Sequence, residues 1–142
     1  MLITLAGIDG SGKSTQIPHL VDYLERLGHT CVVTREPGGT DVGRQIRAIL
    51  LAPENAGMEA MAELMLYEAD RAQHVRQVIR PALRSGRIVI CDRSCDSTVA
   101  YQAAARGIAP EVVEELNERV MDGLVPDVTF LLDLAPEIGL SR

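Results

Sequence analysis

The chain has a single lysine, three cysteines, and no apolar run near the roughly 18 residues of a membrane span. Each scarcity excludes something. A membrane-spanning segment is not expected. The N-terminus enters an apolar strand pattern at once, with no basic region ahead of an apolar helix, so a signal peptide is not expected either. Cys31, Cys91 and Cys95 are odd in number and lack zinc-type spacing. Thiols in a reducing cytoplasm fit that pattern better than a disulfide framework. Positive charge is also short, with 14 Lys and Arg against 20 Asp and Glu and a net charge of −6. That balance argues against a nonspecific nucleic-acid binder, although arginines can still gather around a phosphate. No internal repeat or low-complexity linker divides the chain. What remains is a globular composition, 46% apolar and 24% charged, over a length that predicts one domain, 1–142.

The one lysine stands in the most informative stretch, Gly7-Ile8-Asp9-Gly10-Ser11-Gly12-Lys13-Ser14-Thr15. It fits G-x-x-x-x-G-K-[ST], follows the apolar run Leu2–Ala6, and precedes Ile17, Leu20, Val21, Leu24 and Leu27 at helical spacing. Glycines let successive N–H groups face inward, and the helix N-terminus adds its positive end. Lys13 would reach the outer phosphates of a nucleotide, and the Ser14 hydroxyl would meet magnesium. Pro18, inside that helix, should remove one backbone bond and bend the first turns.

Residues 30–34 (Thr-Cys-Val-Val-Thr) predict a second strand after Gly28, which closes the first helix. Strand, loop, helix and strand form a βαβ unit, so an α/β fold with a parallel sheet follows. At the carboxyl end of the second strand, Arg35-Glu36-Pro37-Gly38-Gly39-Thr40 holds an arginine and a glutamate on a Pro-Gly-Gly turn. Ligands in open α/β sheets bind at that edge; a plain turn with solvated charges is the competing reading. A helix over 41–51 follows, with Arg44 and Arg47 sharing its polar side, and 53–57 reads as a loop.

Residues 58–84 read as one long helix with Met61, Leu64, Met65, Ala69, Ala72, Val75, Val78 and Ile79 mostly inward. Tyr67 and Arg71 lie one turn apart and could hold a planar base; taken alone, a core tyrosine beside a surface arginine is the commoner case. Residues 87–91 predict a buried strand ending in Asp92-Arg93. An acid at such a tip, in a phosphate-loop protein, orders magnesium and its waters, and an arginine beside it offers a rigid fork to phosphate. Helices over 95–105 and 110–124, a fourth strand over 127–132, and a last helix from Pro136 complete the pattern. The 95–105 helix carries Ser97, Thr98, Tyr101 and Gln102 on adjacent turns.

Five stretches together resemble bacterial-type thymidylate kinase: 7–15, 34–40, 69–75 (Ala-Asp-Arg-Ala-Gln-His-Val), Asp92-Arg93, and 97–102 ending in Ala-Tyr-Gln. The resemblance implies the nucleoside-monophosphate-kinase fold, a P-loop NTPase parallel sheet flanked by helices. It implies transfer of the γ-phosphoryl of ATP to dTMP, giving dTDP and ADP, with Mg2+. Lys13 and the loop amides of residues 7–15 would hold the ATP phosphates. Ser14, and Asp92 through water, would serve the metal. Asp9 would lie near the acceptor sugar, and Arg35, Arg47 and Arg93 around the acceptor phosphate, with Glu36 in that cluster. Tyr67 would stack on thymine and Arg71 would meet a base carbonyl. Ser97, Thr98 and Gln102 would hydrogen-bond the base, and Tyr101 would lie under the deoxyribose. Lys13, Asp9 and Arg93 are the expected catalytic set. A cytoplasmic homodimer is implied too, with ATP and dTMP as partners and no nucleic acid or membrane.

Two departures leave alternatives open. Ser94 follows Asp92-Arg93 where the family usually has Tyr or His. Asp-Arg-Ser is similar to the deoxynucleoside kinases, in which an acid after the second strand acts as general base, a place Glu36 could fill for thymidine as acceptor. The second departure is length. Family members continue with a lid that carries a catalytic arginine and with a last strand and helix, so the domain is expected to be C-terminally incomplete. Such a chain would bind nucleotides weakly and catalyse poorly, or serve as a noncatalytic ATP-binding module. A regulatory GTPase is excluded, because reading guanine needs Asn/Thr-Lys-x-Asp and Lys13 is the only lysine.

Overall fold

The computed structural model describes residues 1–141. Four strands, β1 (Leu2–Ala6), β2 (Cys31–Arg35), β3 (Ile88–Asp92) and β4 (Val128–Leu131), form one parallel sheet in the order β2-β3-β1-β4. The central pair is mostly apolar and hidden: every residue of β1, Thr4 included, and Ile88 to Cys91 of β3 is buried. Side chains alternate between the two faces, as the strand period requires. Leu2, Val89 and Cys91 pack on one face with Val75, Ile79, Ala82 and Met121. Ile3, Leu5, Ile88 and Ile90 pack on the other with Ile17 and Leu24. Ile3 and Ile90 are register partners, and truncating Ile90, which is fully buried, to alanine would cost about 2–5 kcal/mol.

The helices are α1 (Lys13–Arg26), α2 (Asp41–Leu51), α3 (Ala60–His74), α4 (Arg80–Arg84), α5 (Cys95–Thr98), α6 (Pro110–Met121) and α7 (Pro136–Leu140). A 3-10 turn, Pro53–Asn55, lies in the predicted loop. α2 has the predicted bounds because Thr40 caps it, its hydroxyl accepting from Gly43 N at 2.9 Å. Pro18 lies inside α1 without ending it, taking away the N–H that would bond back to Ser14.

Several expectations need correction. The second strand is shifted one residue, to Cys31–Arg35, and α6 stops at Met121, where Asp122 turns left-handed at φ 50°. The single helix over 58–84 is instead α3, a π-helical turn Val75–Ile79, and α4. The helix over 95–105 is α5 followed by a second π-helical turn, Val99–Ala105. Met61, Met65 and Ala69 are exposed rather than inward. The buried side of α3 carries Leu64 together with Glu68, Asp70, Arg71 and His74. Periodicity placed the apolar residues inward, but beside Leu64 a hydrogen-bonded set of charged and polar residues takes that side.

Candidate active site

All three chemistry-bearing turns leave the same edge of the sheet. The loop 7–12 follows β1, Glu36 follows β2, and Arg93 follows β3. The ladder is prolonged into these turns: Glu36 N donates to Asp92 O at 3.0 Å and Arg93 N to Leu5 O at 2.9 Å. The sheet therefore fixes the spacing between the turns.

In the first turn, Gly12 sits at φ 95° as the N-cap of α1, a left-handed conformation that a side chain would oppose. Lys13, 6% exposed, folds back so that Nζ donates to Gly7 O at 2.7 Å and Ile8 O at 2.9 Å. Burial and the nearby Arg93 charge lower its pKa. Lys13, Ser14, Thr15, Arg35 and Asp92 line a cleft of about 370 Å3 with Gly10 and Gly12. Asp92 Oδ1 is buried without a hydrogen-bond partner among the described residues. A bare carboxylate oxygen and a serine hydroxyl from residues on one cleft wall suit a hard divalent cation, so the residues fit magnesium.

A second cleft of about 200 Å3 adjoins it, lined by Tyr67, Arg71, Ser94, Ser97, Thr98, Tyr101 and Gln102. Asp9, Glu36, Arg47 and Arg93 line both. Arg93 holds a left-handed backbone, φ 72°; its guanidinium donates to Asp9 Oδ1 at 2.5 Å and lies 5.4 Å from the Tyr101 ring centroid. Arg47 Nη1 donates to Pro37 O at 3.0 Å, holding the 36–39 turn to α2, whereas Arg44 pairs with Asp41 in solvent. The sequence thus placed its candidates in two touching clefts. Of the loop residues 7–15, Gly7, Ile8 and Ser11 are not on either cleft wall.

Beneath the second cleft lies a polar network. Arg71 is 2% exposed, so the core-tyrosine, surface-arginine alternative is reversed: the arginine is buried and Tyr67 half-buried. Its Nε donates to Glu36 Oε2 at 2.8 Å, its Nη1 to Glu68 Oε1 at 2.5 Å and Asn117 Oδ1 at 2.6 Å, and its Nη2 to Thr98 Oγ1 at 2.8 Å. His74 Nδ1 donates to Glu36 Oε1 at 2.9 Å, and its Nε2 meets the Thr34 hydroxyl at 2.6 Å. Burial pushes the Glu36 carboxyl up, but the Arg71 charge and the His74 hydrogen bond outweigh it and hold the group below its ordinary value. Burial raises Glu68 and Asp70 above theirs. Asp70 Oδ1 accepts from Gly38 N at 2.9 Å and so anchors the same turn.

Glu36, His74 and Cys91 bring possible ligand atoms within 4.8 Å of one another. They do not make a metal centre, because both imidazole nitrogens are engaged and burial keeps the Cys91 thiol protonated. Sequence reasoning missed Glu68, Asp70, His74 and Asn117 as supporting residues. The Glu68–Arg71 spacing of three on a helix was a usable signal; Asn117, 46 residues from Arg71, offered none.

Comparison with known proteins agrees with this geometry. The family model described as Thymidylate kinase matches residues 5–142. The thymidylate kinase of Desulfosudis oleivorans is 58% identical over all of this chain and 66% of its own length. That of Desulforapulum autotrophicum is 56% identical, again over the whole chain and 63% of its own. The chain thus spans just under two thirds of these relatives. A crystal structure of thymidylate kinase from Ehrlichia chaffeensis superposes with a TM-score of 0.87 at 40% identity, covering all of this chain and 79% of that one. The chain belongs to the thymidylate kinase family.

Proposed function

We propose that residues 1–142 act as one kinase domain that moves the γ-phosphoryl of ATP to dTMP, giving dTDP and ADP. One observation carries this reading: the phosphate-loop cleft and the polar second cleft share Asp9, Glu36, Arg47 and Arg93 as a common wall. Donor and acceptor phosphates seated on the two sides would meet along it. Phosphoryl transfer needs alignment and charge neutralisation more than covalent help, and arginines at the junction offset the repulsion of two polyanions. In this reading the loop amides and Lys13 hold the ATP phosphates, and Arg35, Arg47 and Arg93 receive the acceptor phosphate. Tyr67 stacks on the base, Ser97, Thr98, Gln102 and Arg71 hydrogen-bond it, and Tyr101 underlies the sugar beside Asp9. Ser14 and Asp92 hold Mg2+, which when bound neutralises phosphate charge.

The thymidine-kinase alternative needs Glu36 as a general base. Both of its oxygens already accept hydrogen bonds, and its pKa lies below the ordinary value, which makes it a poor proton acceptor. A cytoplasmic setting fits three free cysteines, and among the described residues no helix is long and apolar enough to cross a membrane. A homodimer would cover Met61 and Met65, which α3 leaves exposed; sedimentation of the protein tests this. The function is tested by phosphoryl transfer with dTMP, dUMP and thymidine as acceptors. Preference for dTMP is expected; preference for thymidine would overturn the reading.

A further inference from the structure

Arg71 has five N–H hydrogens. Four are taken by the protein: one by Glu36, two by Glu68 and Asn117, and one by Thr98. The fifth, on Nη2, has no acceptor among the described residues, and Arg71 is on the wall of the second cleft with Tyr67, Ser97 and Gln102. The guanidinium therefore has a single N–H left to offer the cleft that it lines, and the direction of that N–H depends on how the plane is held.

Charge does not account for all four partners. Glu36 and Glu68 already supply two carboxylates to one guanidinium, more than neutrality asks. Asn117 adds no charge. It reaches in from α6, itself only 7% exposed, and occupies the second Nη1 hydrogen at 2.6 Å. Without it that hydrogen would be buried and unpaired, a state a guanidinium relieves by turning in its plane. Any turn that satisfies Nη1 also moves the free N–H of Nη2, because the fork is rigid.

The geometry points to Asn117 as a positioning residue for base recognition: it sets the direction of the one Arg71 N–H that faces the acceptor cleft. This rests on dTMP being the acceptor. The expected signature is selective, because only a base with a carbonyl at the right place senses the direction of that N–H.

The test compares equilibrium binding of dTMP with that of its analogue lacking the 4-carbonyl oxygen, on wild type, Asn117→Leu and Asn117→Asp, with thermal unfolding alongside. Asn117→Leu keeps the branched shape in a larger side chain and removes the acceptor. It is expected to weaken dTMP binding by about tenfold or more while leaving the analogue within about twofold. Asn117→Asp returns an acceptor oxygen and is expected to recover most of the loss. Asn117→Ala carries the same comparison should leucine not fold. Equal losses for both ligands, or no loss for dTMP, would overturn the assignment while wild-type dTMP binding stands. Wild-type protein that binds no dTMP would overturn both this and the proposed function.

Discussion

Arg93 Nη2 donates to Asp9 Oδ1 across 2.5 Å, tying the carboxyl end of β3 to the phosphate loop 84 residues earlier. Asp9 is 95% exposed, so the pair adds little to stability and its effect is directional. It aims an arginine whose backbone is already committed to the left-handed region.

That combination separates two substitutions. Arg93→Ala removes the side chain and keeps a Cβ in an unfavourable conformation, whereas Arg93→Gly removes the side chain and the strain together. The glycine variant is expected to be more stable by about 1 kcal/mol in urea denaturation. Both should lose dTMP affinity in a titration while ATP affinity changes little. Unchanged dTMP binding would remove Arg93 from the acceptor phosphate.

Glu36 is the hinge of the buried network, because it serves Arg71 and His74 at once. Glu36→Gln removes the buried carboxylate that Arg71 and His74 share and is expected to cost about 2–4 kcal/mol by denaturant titration. The sign with pH follows from the lowered pKa. The wild-type advantage is fully present above the ordinary value of 4.5 and fades as pH falls through the lower folded value. The gap between the two proteins should close in acid. A gap independent of pH would mean that the Glu36 charge is not what stabilises the network.

Much of the sheet edge could be read from residues near one another in the chain. The phosphate loop follows from eight consecutive positions, and α2 from the apolar side that Val42, Ile46, Ile49 and Leu50 give it; its Thr40 cap is seen only in the structure. The inside of α3 could not be read in that way. Met61 and Met65 look like core residues until one knows that Glu68, Arg71 and His74 fill that side, and these are tolerable there only because Glu36 and Asn117 meet them from 35 and 46 residues away. A charge reads as exposed unless its partner is visible, and distant partners are invisible to periodicity. The same limit hid Asp70, whose target is a backbone N–H at Gly38.

Gly39 is held by close approach. A Cβ there would meet the His74 ring at 2.5 Å and Thr34 Oγ1 at 2.8 Å. Gly39→Ala is expected to destabilise by about 1–3 kcal/mol, through displacement of the imidazole. A thermal melt reads the cost, and the His74 ring signals in an NMR spectrum should shift with it. Wild-type stability with unshifted ring signals would show that the turn can give way freely.

Lys13 is poised by the loop it serves, with its ammonium on two loop carbonyls. Lys13→Met keeps the length of the stem and removes the charge. Phosphoryl transfer to dTMP should fall by about 100-fold or more, as for loss of a donor that meets developing charge. Binding of dTMP alone, measured without ATP, should stay within about threefold of wild type. A parallel loss of both would place Lys13 in the fold of the loop rather than in the transfer step.

The widened turn at Val75–Ile79 gives one continuous rod two different insides. Ahead of it, the hidden side is ionic and supports the two clefts; beyond it, Val75, Ile79 and Ala82 press on the oily underside of the sheet. A regular helix would have had to choose one phase for both duties. Winding the same residues at the ordinary pitch, without the wide turn, would swing every later side chain by about 100°. The local pitch at that turn is therefore what seats Val75, Ile79 and Ala82 on the sheet.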